Sequence, residues 1–294
     1  VTIPELDPAP PADHSRPLLA RSVGRGSPLL WVAAALLLAV IVAWAWLTPP
    51  GLLGKADAVG YAVCHRITLR SFLFPDGRQL PMCARCSGTF LGVLVGLLGP
   101  GLLLGRRRAA AFPPAVIMAI MLGMSALWAF DGANSFLTLI PSDKLPRLYE
   151  PTNFLRLLTG MFHGITMGGL VLPVANSVLW ADPADRPVIE KWWHLALLYG
   201  AGALLIVMLL SGLAVFLYPL ALLSAVGTVS VLAAINVVMV TSIMRRENAA
   251  RTLADALPLI LLGLALAFVL IGGIDALRYA MFRTWDGFVF PPSP

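Results

Sequence analysis

Residues 85–104, RCSGTFLGVLVGLLGPGLLL, decide the fold. These twenty positions carry one charge, Arg85, at their very start. A twenty-residue helix is about 30 Å long, the thickness of a bilayer's hydrocarbon core. The run is also punctuated by glycine at every fourth place, Gly88, Gly92 and Gly96. Small residues at that spacing let two membrane helices bring their backbones together. Gly99-Pro100-Gly101 then falls in the last third, which predicts a kink or an early end.

The rest of the chain is of the same kind. Of 294 residues, 59% are hydrophobic and 12% charged, and the mean hydropathy is +0.84. Soluble domains carry roughly 25% charged residues. The expected fold is all-α, a polytopic integral membrane helix bundle with about seven transmembrane helices. The apolar runs place them near 29–47, 85–104, 112–131, 156–180, 194–217, 220–244 and 255–276. The first run is about 19 residues, longer than a secretory signal core, and reads as a retained helix. Pro113-Pro114 suits the first turn of the third. Residues 51–63 are too short and polar to span and are expected to form an interfacial helix.

Three regions follow: a Pro-rich, disordered tail over 1–28, a four-helix domain over 29–181 and a three-helix extension over 182–294. The net charge of +6 does not indicate nucleic acid, because no basic–aromatic stretch offers a stacking surface. The expected partners are the lipid bilayer and other membrane-protein subunits. Bare basic clusters such as Arg106-Arg107-Arg108 hug helix ends on one side. On that basis the N-terminus is placed in the cytoplasm and residues 48–84 outside the cell membrane. Two helices separate the 48–84 loop from the 132–155 loop, so both face one side, and the C-terminal tail joins them.

All three cysteines lie in one polar loop, VCHRITLRSFLFPDGRQLPMCARCSGTF at 63–90. Cys64 and His65 are followed, after 17 residues with a turn expected at Asp76-Gly77, by Cys83-Ala84-Arg85-Cys86. Three thiolates and one imidazole fill a tetrahedral Zn²⁺ shell, so Cys64, His65, Cys83 and Cys86 are candidate metal ligands. Zinc fits first; iron or no ion are the alternatives. Cys86 opens a helix, where the dipole favours a thiolate, and Arg70 and Arg85 stand near in sequence. Two other readings stay open. One is a membrane thiol–disulfide or quinone-linked oxidoreductase using Cys83 and Cys86. The other is a non-enzymatic accessory subunit of a membrane complex, with a structural disulfide or metal.

A second polar cluster comprises Asp131-Gly132-Ala133-Asn134 and Asn153-Phe154-Leu155-Arg156. Asp131 and Arg156 are expected to pair or each to touch the cysteine loop. Asn153 is the expected cap of the fourth helix. Ser87-Gly88-x-Phe90-x-Gly92 is echoed by Thr159-Gly160-x-Phe162-x-Gly164, and the second set continues to Gly168. These two helices are therefore candidates for close packing. His163 reads as a packing histidine rather than a haem ligand, and His194 as an interfacial anchor. Asp275 and Arg278 end the last helix on the cysteine side.

Taken in order, these motifs resemble a bacterial and archaeal family of predicted membrane proteins of unknown function. The carriers are Cys64-His65, Arg70-Ser71-Phe72, Cys83-Ala84-Arg85-Cys86-Ser87-Gly88, Asp131-Gly132 and Arg156-Leu157-Leu158-Thr159-Gly160. Asn134 stands where short members are expected to carry Gln. The resemblance covers about 60–180 and implies that the two clusters form one unit; it implies no activity. No Walker loop, zinc-protease helix motif or serine elbow is present.

Overall fold

The computed structural model describes residues 28–139 and 148–288. The expectation for the tail, and the basic residues Arg16, Arg21, Arg25, Lys144 and Arg147, lie outside the described residues. Eight α-helices follow in chain order: α1 Pro28–Leu47, α2 Gly51–Val63, α3 Ala84–Leu102, α4 Ala115–Leu137, α5 Asn153–Leu179, α6 Trp192–Leu210, α7 Ala214–Ile243 and α8 Leu253–Phe282. All but α2 are long and apolar enough to cross a membrane. Two short strands, β1 Ala109–Ala111 and β2 Ala184–Pro187, pair in parallel between helices at the end away from the cysteines.

The bundle is built around α3 and α5. A Cβ added at Gly88, Gly92 or Gly96 would fall within 3.0 Å of the carbonyl oxygen of Leu157, Met161 or Ile165 on α5. One added at Gly160, Gly164 or Gly168 would meet Arg85, Thr89 or Val93 on α3 in the same way. The two glycine rows therefore mesh, backbone on backbone, over three turns. Cα–H groups face carbonyl oxygens at this spacing, a recurrent weak contact between helices. Around this pair, α4 packs on α5 through Thr166, whose hydroxyl donates to Met121 O at 3.0 Å. On the other side Gly227 of α7 abuts Phe90 O of α3, and Gly263 of α8 abuts α7. α1 is peripheral; Trp44 stacks edge-on against Phe268 of α8 at 5.1 Å. Large outward side chains such as Trp46, Val116 and Val207 are exposed. In a membrane bundle lipid tails cover such side chains.

Several helix ends differ from the sequence reading, each for a physical reason. α4 starts at Ala115 because Pro114 restricts Pro113 to extended backbone; Pro114 caps the helix through its carbonyl, which accepts from Met118 N–H at 2.9 Å. It runs on to Leu137, past Asp131 and Asn134, because those side chains find partners inside the protein. α6 ends earlier, at Leu210, just before Gly212, whose φ of +69° is a left-handed turn, and Pro219 lies within α7. α3 ends at Leu102 with Pro100 inside its last turn. α8 opens at a Thr252–Asp255 capping box and extends to Phe282, taking Asp275 and Arg278 into the helix.

The glycine contact makes a paired prediction. Gly164→Ala should cost about 2–3 kcal/mol or prevent folding, since its Cβ would meet Thr89 O. Gly200→Ala, where nothing lies within 4 Å, should be neutral or stabilise α6 by up to about 1 kcal/mol. Thermal unfolding in detergent reads both, and equal effects would contradict the packing.

Candidate functional site

Cys64 is the C-cap of α2 and Cys83 the N-cap of α3, so each thiol is set by the end of a helix. Between them the chain folds back. A 3₁₀ turn at Thr68–Arg70 leads into a hairpin in which Leu73 pairs with Gln79 and Gly77 turns at φ +85°. The turn thus forms where Asp76-Gly77 places it. Gly60 closes the arrangement. A Cβ there would strike Pro81 O, so only glycine lets the returning strand lie against α2. The result is that Cys83 N–H donates to Cys64 Sγ at 3.3 Å, and Arg66 N–H donates to the same sulfur at 3.4 Å.

The ligand atoms of Cys64, His65 and Cys83 all lie within 4.8 Å of one another. Such a group could hold a metal ion. Cys86, one turn into α3, is outside that tightest set but packs against the cluster that holds Cys64 and Cys83. No disulfide joins the three. Cys64 and Cys83 are 5% and 2% exposed and pack with Met82, Val59, Ala225 and Ile271. The sulfurs are thus polar centres in an apolar wall drawn from α2, α3, α7 and α8.

This packing divides the protons unequally. The hydrogen that Cys64 shares with Cys83 pushes the Cys64 thiol up to about 12. Hydrogen bonds from Cys64 and Cys86, and a further one from His65, hold Cys83 well below the ordinary thiol range. His65 Nδ1 accepts from Ile67 N–H at 3.1 Å, so the neutral ring carries its hydrogen on Nε2.

Arg85 links this site to the second cluster. Its Nη2 is ion-paired with Asp131 Oδ2, donates to Asp131 O at 3.0 Å and donates to Ser135 Oγ at 2.9 Å. Asp131 does not pair with Arg156. Arg85 takes that place because the glycine contact sets the start of α3 beside α4 and α5. Tyr149 donates to the other Asp131 oxygen at 2.7 Å. Asn134 holds the same segment, accepting from Leu148 N–H at 3.1 Å and donating to Tyr149 O at 2.9 Å. Arg70 reaches α4 and donates to Ser135 O and Thr138 Oγ1, both at 2.7 Å. Burial and the guanidiniums of Arg156 and Arg85 pull Arg70 down to about 10, still charged at neutral pH.

Arg156 donates to Asn153 Oδ1 at 2.9 Å. The helix cap is Thr152, whose hydroxyl accepts from Leu155 N–H at 3.2 Å; Asn153 instead faces the hairpin carbonyls of Leu69 and Ser71. His163 bonds Ser125 Oγ at 3.0 Å and stacks on Trp128, away from the sulfurs. His194 is buried and accepts from Glu190 N–H at 3.2 Å, so it caps α6 rather than anchoring an interface.

Two more contributors complete the site, one marked in the sequence as ending the last helix on the cysteine side and one not. Arg278 of α8 donates to Tyr61 O and, at 2.7 Å, to Cys64 O, holding the first cysteine's carbonyl. Residues 284–288 form a strap over the loop. Tyr61 Oη donates to Thr284 O at 2.8 Å, Arg66 Nη1 to Trp285 O at 2.9 Å, and Phe288 N–H to His65 O at 2.9 Å. Arg278 had a signal, a cation ending a membrane helix on the correct side. The strap had none.

Residues 64–170 match a family described as predicted membrane protein (DUF2085). The chain is also 29% identical, over 123 residues, to an uncharacterized protein of Methanocaldococcus jannaschii, covering 42% of this chain and 70% of that relative. No solved structure matches. The family segment runs from Cys64 through the α3–α5 glycine contact. With its seven apolar helices, the protein is a multi-pass membrane protein.

The Tyr149–Asp131 bond predicts a pH dependence. Burial first, and the bond to Asp131 second, raise the Tyr149 hydroxyl to about 12. An unfolded tyrosine titrates near 10. Tyr149 therefore contributes stability that is complete below about pH 10 and is lost as pH rises toward 12. Tyr149→Phe should flatten the fall in stability over that window. An unchanged slope in denaturant titrations from pH 9 to 11 would contradict the contact.

Proposed function

We propose that this is a metal-centred membrane protein in which Cys64, His65, Cys83 and Cys86 hold a zinc ion at the mouth of α3 and α5. The observation that supports it is the convergence of three metal-ligating side chains within 4.8 Å. Cys86, packed against the cluster that holds two of them, would supply the fourth donor. Zinc in a structural site takes four sulfur or nitrogen ligands; iron is the alternative ion. The backbone N–H donors on Cys64 Sγ suit a metal-bound thiolate, which keeps lone pairs free for them. Binding would release the protons now held on the remaining thiols. For His65 to ligate through Nε2, the ring must move its hydrogen to Nδ1 and give up the Ile67 bond. In this reading residues 29–181 carry the site, residues 182–294 support it through Arg278, and the sulfurs face the outside of the cell membrane.

One observation favours a second reading. Cys83 and Cys86, both free thiols three positions apart, pack in one cluster, and Cys86 lies outside the His65 set. As an oxidoreductase, Cys83 sulfur would attack a partner disulfide and release one partner thiolate. Cys86, after losing its proton, would then attack Cys83 and release the chain as a Cys83–Cys86 disulfide. Two thiols of this protein are oxidised and one partner disulfide is reduced.

Elemental analysis of the detergent-purified full chain separates the two. The metal reading predicts about one zinc or iron per chain, lost in Cys83→Ser, with thiols protected from alkylation until a chelator is added. Metal-free protein with a reducible Cys83–Cys86 bond would overturn it in favour of the second.

A further inference from the structure

The three arginines beside the sulfurs are more than a counter-charge. Arg70 and Arg85 converge on Ser135, one on its carbonyl and one on its hydroxyl. Arg85 O lies against Gly160, one turn along α5 from Arg156. The three guanidiniums are near enough to repel one another. Arg70 and Arg156 are 8% and 7% exposed. Yet Asp131, held by Arg85, is the one carboxylate ion-paired with any of them among the described residues.

Buried cations are costly unless paired. Asp131 is the one anion that meets the three guanidiniums in a salt bridge among the described residues, while Arg70 and Arg156 donate to neutral oxygens of Ser135, Thr138 and Asn153. The donor count agrees. Arg85 uses only Nη2 toward described residues, and its Nε, like that of Arg156, is buried with no hydrogen-bond partner. Guanidinium N–H groups in a planar fork match the two oxygens of a phosphate or carboxylate.

We propose that Arg70, Arg85 and Arg156 form a binding site for an oxyanion of the phosphate class, beside the sulfur cluster at the membrane surface. The group reaches the site as free inorganic phosphate or as the headgroup of an anionic phospholipid. Arg156 and Arg85 supply the unpartnered donors, and Arg70 adds charge. The site stands on the guanidiniums and is independent of whether the sulfurs hold an ion.

The test uses the purified full chain, with its metal content measured in the same samples. At constant ionic strength, inorganic phosphate should raise the thermal unfolding temperature relative to chloride if the free ion is the ligand. If the headgroup is the ligand, nanodiscs of phosphatidylglycerol should do so relative to phosphatidylcholine. Arg156→Lys keeps the charge but not the fork, and should weaken the response at least about tenfold in ligand concentration. Arg186→Gln, exposed on β2 at the other end of the bundle, should leave it intact. No response to either source would overturn the site. So would a response that survives in folded, monodisperse Arg156→Lys and Arg156→Gln. Phosphate binding in a chain without metal would support this site while removing the metal reading.

Discussion

Six glycines on two helices bring the backbones of α3 and α5 into direct contact, and the polar groups at the cysteine end of the bundle are placed by that contact. In lipid there is no hydrophobic force to drive two apolar helices together, so close packing has to come from shape. Side chains at these positions would hold the helices apart. Without them, the first turn of α3 sits against the first two turns of α5. That puts Cys83, Arg85 and Cys86 beside Arg156 and Leu157. The glycine spacing and the cysteine motif are thus parts of one device, which explains why both fall inside the 64–170 family segment.

Electrostatics then organises what packing has assembled. Asp131 lies within α4 and is 2% exposed. It is tolerated there because Arg85 and Tyr149 occupy both of its oxygens. Removing it would leave Arg85 buried without compensation, a loss worth about 3–5 kcal/mol in comparable pairs. The sulfurs sit on the opposite flank of the same helix end, in an apolar wall completed by Ala225 and Ile271. Excluding water strengthens each charge–charge interaction there.

The architecture was legible because its signals are local. Apolar length gave seven spans, and four-residue glycine spacing gave the α3–α5 pair. Cys64, His65 and Cys83 converge as their spacing suggests, because a Gly77 turn folds the insert back on itself. What could not be read depends on three-dimensional neighbours. Asp131 and Asn134 looked like a helix end because polar residues usually mark one; inside the protein their partners let α4 continue to Leu137. Of the two outcomes expected for Asp131, pairing with Arg156 or touching the cysteine loop, the second holds through Arg85, because register, not opposite charge alone, chooses the partner. Gly60 gave no pattern at all, since its role is to let Pro81 pass. Arg278 was legible as a cation ending a membrane helix on the cysteine side, but its bond to Cys64 O, 214 residues away in sequence, and the 284–288 strap were not.

The account is tested most directly by X-ray absorption at the zinc edge on the purified full chain. It predicts a first shell of three sulfurs at about 2.3 Å and one nitrogen at about 2.0–2.1 Å. A shell of oxygen and nitrogen alone, or no bound metal with Cys83 and Cys86 joined, would contradict it.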